Sequence, residues 1–241
     1  MCGIVGVFSQ RPGFSLPDAD LIRMRDSMQH RGPDDAGVYA GYDGGYYIGL
    51  GHRRLSILDL SPLGHQPMST SDGRLWLSYN GEVFNFQSLR TQLEQTGKYE
   101  FRSKTDTEVI LYAVREWGLE GALRRFRGMF AFAMYDRQDH SLTLVRDALG
   151  IKPLYYYIDN GVVVFASEIK AILAFPGFEK QIDSQALFHY LTFANTPAPG
   201  SLFKGLQKLE AGTYKTFDRE GSSTSVRYWD PSLFRSVVPN L

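Results

Sequence analysis

Cysteine is almost missing from this sequence, which has a single one, Cys2, in 241 residues. One thiol excludes an internal disulfide and any Cys-rich metal site. An excess of either charge is also lacking, since 26 Lys and Arg face 26 Asp and Glu. Long-range steering toward nucleic acid or an anionic membrane therefore has no electrostatic footprint, and a small neutral partner fits better. No apolar run approaches the roughly 18 to 20 residues of a membrane span, and the MCGIVGVF start has neither a basic leader nor a small-residue cleavage site. Residue 2 is not Gly, which removes myristoylation. A cytoplasmic protein without membrane or nucleic-acid contact is expected. The sequence further lacks G-x-S-x-G, a Walker A loop, G-x-G-x-x-G and H-E-x-x-H. Its histidines, His30, His52, His65, His140 and His189, do not fall at metal-ligand spacing, so no metal site is expected.

Apolar residues are plentiful at 43%, with aromatics at 14%, far above what a solvated chain carries. The chain is long enough for a sizeable packed core. Ile4, Val5, Val7 and Phe8 predict a strand over 2–9 buried on both faces. Leu21, Met24 and Met28 form one helical stripe that HRGPD at 30–34 stops. Short strands are predicted over 37–40, 46–51, 55–58 and 75–79, followed by helices marked by Phe86, Leu89, Leu93 and by Val109, Ile110, Ala113, Trp117. Two hairpins follow, 129–135 with 142–145 and 155–158 with 162–166, the second turning on Asn160-Gly161. A short helix near Ile169 and strand fragments past 200 complete the pattern, and 219–241 turns polar and irregular. The class is α+β, and strands as uniformly apolar as MFAFAMY need cover on both faces, as two facing sheets with helices outside provide.

The position of the lone cysteine is its most informative property. Removal of Met1 makes Cys2 the terminal residue, carrying a thiol of ordinary pKa about 8.5 and an α-amine of about 7.7 to 8.0. Nucleophile and base then sit on one residue, and no His or Asp is required. On residue type alone, a lone Cys reads first as a small buried hydrophobe. On their own, Asn80-Gly81 reads as a tight turn and Asp106 as a first-turn residue of a Thr105-x-x-Glu108 capping box.

Seven segments resolve these choices together: MCGIVGVF at the start, HRGPDD at 30–35, GHRRLSILDLSPLGHQPM at 51–68, NGEVFNF at 80–86, SKTDTEVI at 103–110, RGMFAFAMYD at 127–136 and RDALGIKPLYY at 146–156. In this order they resemble the glutaminase domain of glutamine-hydrolysing asparagine synthetases, a class II glutamine amidotransferase. The resemblance implies an N-terminal-nucleophile hydrolase fold, an αββα sandwich of two mainly antiparallel sheets between helices. It implies a glutaminase domain over 2–217, with 218–241 as a linker and the start of a synthetase domain not present in the chain. It implies hydrolysis of L-glutamine to glutamate and ammonia through a thioester on Cys2. Asn80 and Gly81 are the implied oxyanion donors. Arg54 is the implied partner of the substrate carboxylate, Leu55 and Ile57 line its pocket, and Glu82 and Asp106 accept from the substrate ammonium. The segment 146–156, with Arg146, Asp147 and Lys152, is expected to be architecture outside the pocket, a turn built on Gly150 and Pro153. No cofactor is implied in this domain; ATP and magnesium belong to the synthetase domain, the expected partner, and a homo-oligomer is compatible with the family. Three other readings remain at this stage: a catalytically silent regulatory or interaction domain of the same fold, the glutaminase half of another amidotransferase, and a general thiol hydrolase acting on peptides. The second expects an Arg-Trp-Ala-Thr-His-Gly stretch where this chain has RRLSILD, and the third an extended-substrate signature that the sequence does not show.

Overall fold

The computed structural model describes residues 1–234. Strand β1, Gly3–Ser9, is buried along its whole length, as its apolar run predicts. It sits near the middle of a six-stranded antiparallel sheet, between β3 (Tyr46–Arg54) and β9 (Val162–Ala166). Strand β2 (Asp35–Asp43) closes one edge, and β8 (Tyr155–Asp159) with β10 (Leu206–Lys208) closes the other. The second sheet is also six-stranded and antiparallel. Its centre is β5 (Leu75–Val83), β6 (Gly128–Asp136) and β7 (Ser141–Arg146), with β4 (Met68–Ser69) at one edge and β11 (Thr213–Phe217) and β12 (Ser223–Arg227) at the other.

Three apolar clusters define the layers. Between the sheets, Ile4, Phe8, Ile48 and Leu50 meet Ala131, Ala133, Tyr135 and Leu144. Helices α1 (Asp18–Asp26) and α4 (Ile169–Leu173) cover the outer face of the first sheet through Leu21, Met24 and Ile172. Helices α2 (Phe86–Glu94) and α3 (Asp106–Arg125) cover the second through Leu89, Leu93, Val109 and Ile110. The architecture is the expected αββα sandwich, and MFAFAMY is doubly covered because alternate residues face the opposite sheet and α3.

Local structure departs from the expectation at several points. Residues 55–58 are not a strand, because the chain leaves β3 at Arg54 and the arginine guanidinium takes up the carbonyls of Leu58, Asp59 and Ser61. Asn80-Gly81 is not a turn but lies within β5, where Asn80 pairs with Ala131 and Gly81 with Phe130. The hairpin at Asn160-Gly161 does form, both residues having positive φ. A helix unforeseen in the sequence, α5 (Ser184–Phe193), is capped by the Asp183 carboxylate on the Ala186 N–H. The segment expected to lead out of the domain after 217 first turns back, and β12 pairs along all of β11. Residues 235–241 of that segment lie outside the described residues.

Candidate active site

Cys2 immediately precedes β1, and the loop leaving the neighbouring strand β3 runs past it. The thiol donates to the Leu55 carbonyl at 3.8 Å, and the Leu55 N–H donates to the sulfur at 3.4 Å. Burial pushes the Cys2 thiol pKa up, opposed by the backbone hydrogen bond from Leu55. The Cys2 carbonyl is fixed from the other side by Arg31, whose Nε donates to it at 2.8 Å while its Nη1 pairs with Glu168 at 2.9 Å. His30 Nε2 donates to the same Glu168 carboxylate at 3.0 Å, a supporting contact. The N-terminal amine on Met1 is lowered in pKa, chiefly by burial.

The sulfur opens on a cleft of roughly 250 Å³ lined by Arg54, Leu55, Ile57, Asn80, Gly81, Glu82 and Asp106. All eight residues singled out in the sequence are therefore brought together, although they come from the terminus, β3, the following loop, β5 and α3. Asn80 is 1% exposed, and its Nδ2 has no hydrogen-bond partner among the described residues. A buried amide donor without an acceptor is uncommon and marks a place where a ligand atom belongs. Beside it, a Cβ at Gly81 would stand 2.3 Å from the Met129 carbonyl oxygen. Only glycine permits β5 and β6 to close there.

Asp106 is buried at the start of α3, but the helix cap is made by its neighbours: Thr105 Oγ1 accepts from the Glu108 N–H. The Glu108 carboxylate accepts from the N–H groups of Arg102 and Ser103. The Asp106 carboxylate turns instead to β5, accepting from Tyr79 O–H at 2.6 Å and from the Val83 N–H at 2.9 Å. Burial nonetheless raises its pKa above the usual carboxylate value. Arg54 is the most committed of the set, with Nη2 donating to Leu58 O and Asp59 O and Nη1 to Ser61 O. Ile57, 68% exposed, forms part of the rim.

Among the other residues that line the cleft, two bear on its construction. Gln66 links β5 and α3, accepting from the Tyr79 N–H and donating to Thr107 Oγ1. Lys152, expected outside the pocket, lines it. Arg146 and Asp147 are architecture as expected, but the turn they build delivers the lysine inward. The sequence signal for this is faint: a lone cation between Ile151 and Pro153-Leu154. Among the described residues no cluster of His, Cys, Asp or Glu could hold a metal ion, and no helix is long and apolar enough to cross a membrane.

Residues 1–229 match the family model described as the glutamine amidotransferase domain. Asparagine synthetase [glutamine-hydrolyzing] 1 of Bacillus subtilis is 39% identical over 231 residues, covering 95% of this chain and 35% of the relative. A putative asparagine synthetase [glutamine-hydrolyzing] 2 of Methanocaldococcus jannaschii is 36% identical over 254 residues, covering 98% of this chain and 48% of the relative. The chain thus spans a third to a half of the length of these curated relatives. Among solved structures, glutamine phosphoribosylpyrophosphate amidotransferase from Bacillus subtilis superposes with a TM-score of 0.66 at 20% identity, covering 94% of this chain and 49% of that one. That likeness establishes the fold alone.

Proposed function

The chain belongs to the glutamine amidotransferase domain family, and from that premise we propose that it hydrolyses L-glutamine to glutamate and ammonia with Cys2 as the nucleophile. The observation that carries the reading is that Asn80, whose buried Nδ2 has no partner among the described residues, lines the same cleft as Cys2. With Met1 removed, the Cys2 α-amine takes the thiol proton, and sulfur attacks the side-chain amide carbon of glutamine. The oxygen of the tetrahedral intermediate accepts from Asn80 Nδ2 and the Gly81 N–H. Collapse breaks the C–N bond, the protonated amine returns its proton to the departing nitrogen, and ammonia leaves a glutamyl thioester on Cys2. Water then attacks the thioester, giving glutamate and the free thiol. Arg54 is the proposed anchor for the substrate carboxylate, Leu55 and Ile57 wall the pocket beside it, and Glu82 and Asp106 accept from the substrate ammonium. While Met1 remains, the Cys2 nitrogen is an amide without basicity and the buried thiol rests protonated.

The ammonia is proposed to serve an asparagine-synthetase-type domain that uses ATP and magnesium, in the cytoplasm. Residues 2–217 are the proposed glutaminase unit, which carries every cleft residue except Met1. Residues 218–241 are the proposed lead toward the synthetase domain. Support for such a partner comes from α5, where Phe188, Leu191 and Phe193 are exposed although apolar. The test compares samples whose terminal residue is established by intact mass. The Cys2-first chain should release glutamate and ammonia from glutamine, and Cys2→Ala should not; full activity in a sample retaining Met1 would overturn the mechanism.

A further inference from the structure

Cys2 lies one residue outside the β ladder, which begins where Gly3 pairs with Arg53. As the terminal residue it has no preceding peptide to hold it, and a chain end frays unless something ties it down. The tie comes from the junction of β9 and α4. Ser167 brackets Ile4, its Oγ accepting from the Ile4 N–H at 3.0 Å and its own N–H donating to the Ile4 carbonyl at 2.8 Å. The next residue, Glu168, stands at the N-cap of α4 but makes no side-chain cap. Its carboxylate turns instead to the loop after α1, where Oε1 accepts from Arg31 Nη1 at 2.9 Å and from His30 Nε2 at 3.0 Å, while Oε2 accepts from Lys170 Nζ at 3.1 Å. Burial works to raise its pKa, but the hydrogen bonds from Arg31, Lys170 and His30 outweigh it and leave the carboxyl below its usual value. Arg31, its side chain 8% exposed, reaches on from this anchor and donates from Nε to the Cys2 carbonyl at 2.8 Å. Glycine at position 3 makes room for that reach, since a Cβ there would stand 3.1 Å from Met28 Cβ and 3.5 Å from Arg31 Cδ.

Resting on the glutaminase reading above, we propose that Glu168 is a positioning residue that acts through Arg31 to fix the terminal nucleophile. The carboxylate holds one nitrogen of the guanidinium, and the guanidinium presents another to the Cys2 carbonyl. These contacts are made to the Cys2 carbonyl and to Ile4, so they survive removal of Met1; only the 3.9 Å contact from Arg31 Nη2 to the Met1 sulfur is lost with it. With that peptide plane fixed, the amine and the sulfur of Cys2 move only by rotation about Cα–C and Cα–Cβ, and the Leu55 N–H on the sulfur restrains the second. Without Glu168 the guanidinium loses its anchor, and the carbonyl loses a fixed donor. A misplacement of about 1 Å between reacting groups costs about 10²-fold in rate. Glu168 and Arg31 are not among the residues lining the cleft, so loss of Glu168 leaves the groups that face the substrate in place. The effect falls on turnover rather than on binding.

The experiment uses Cys2-first chain, wild type and the variants Glu168→Ala, Glu168→Gln and Lys170→Met. Cys2 is the only cysteine, so chain labelled with cysteine carrying carbon-13 at its carbonyl gives a single carbonyl resonance, which reports the hydrogen bond from Arg31. Glutamine kinetics are measured on the same preparations. Glu168→Ala should displace or broaden the carbonyl line and lower kcat by about tenfold to a hundredfold with KM within a small factor. Glu168→Gln keeps the shape and one acceptor for Arg31, so it should show both changes at smaller size; it decides the matter if the alanine variant does not fold. Lys170→Met removes the partner of the other carboxylate oxygen and leaves Arg31 on Glu168, so line and kcat should stay as in the wild type. An unmoved line in the Glu168 variants, a raised KM in place of a lowered kcat, or equal losses of kcat in Glu168→Ala and Lys170→Met would overturn the proposal and leave the cluster a structural tie. Absence of glutamine turnover in the wild type would sink the glutaminase reading instead, and the carbonyl line would still decide whether Glu168 holds Cys2.

Discussion

Replacing Asn80 with alanine removes an amide whose nitrogen is buried and bonded to nothing among the described residues. In the resting protein that nitrogen carries an uncompensated desolvation penalty of about 1 to 3 kcal/mol. Alanine abolishes the penalty, and the space it leaves joins an open cleft, so no closed cavity is created. Stability should therefore stay within about 1 kcal/mol of wild type or rise, which for a domain of this size is a Tm change of about 2 to 4 °C. Turnover should behave differently, because an oxyanion donor acts on charge that exists only in the transition state. Its loss costs about 10² to 10³ in kcat, equivalent to roughly 2.7 to 4 kcal/mol, with KM within a small factor. The assay pairs glutamate release across a range of glutamine concentrations with a thermal melt of the same preparation. A raised KM at constant kcat would make Asn80 a ground-state contact. A Tm falling in step with kcat would make it a structural residue of β5, and either result refutes the reasoning.

Arg54→Lys keeps the charge but cannot span the carbonyls of Leu58, Asp59 and Ser61 with one ammonium. Hydrogen exchange over 57–64 should accelerate, and KM for glutamine should rise about tenfold or more, while an analogue without the α-carboxylate is unaffected; equal losses for both substrates would reduce Arg54 to a loop clamp. His52 is fully buried, its Nε2 on the Tyr79 carbonyl at 2.9 Å, and burial lowers its pKa from 6.5 to about 4. Between about pH 4 and 6.5 the unfolded chain binds the proton that folded His52 refuses, so stability is lost as pH falls through that window, by roughly 3 kcal/mol in full. His52→Gln removes this titration, and the difference in urea midpoint between pH 7.5 and 4.5 should narrow; an unchanged difference would refute the assignment.

The parts of the fold legible in the sequence are those where local pattern and tertiary demand agree. Ile4, Val5, Val7 and Phe8 announce a strand covered on both faces, and Asn160-Gly161 announces its turn, because neither depends on distant residues. Asn80-Gly81 carries the same dipeptide yet lies mid-strand, since close approach of the Met129 carbonyl demands glycine there for packing rather than for turning. The apolar residues at 55–58 look like strand but form a rim, the register being broken by a single guanidinium that collects backbone carbonyls. The inward placement of Lys152 had only a faint local signal, a lone cation between Ile151 and Pro153. It follows from hydrogen bonds of Asp147 and Arg146, whose reach across the turn no periodicity encodes.

The charges of the cleft bear on what can bind. Lys152 and Met1 line the same cleft as Cys2, and Arg54 and Asp106 act on its thiol. Asp106 and Glu82 supply the negative groups, and Asp106 is the better defined of the two because Tyr79 O–H and the Val83 N–H fix one of its oxygens. Its carboxylate is buried enough for its pKa to be raised, so an arriving ammonium would be favoured twice, by direct attraction and by relief of an under-compensated buried acid. An amino acid entering with its ammonium toward Asp106 must carry its side chain away from that charge, and the partnerless amide of Asn80 then stands where a neutral carbonyl, not a second cation, can be met. A lysine side chain of similar reach would instead bring an ammonium toward Lys152 and the terminus. The two cations of the cleft, Arg54 and Lys152, would disfavour it, so the charge pattern favours a side-chain amide over a side-chain amine.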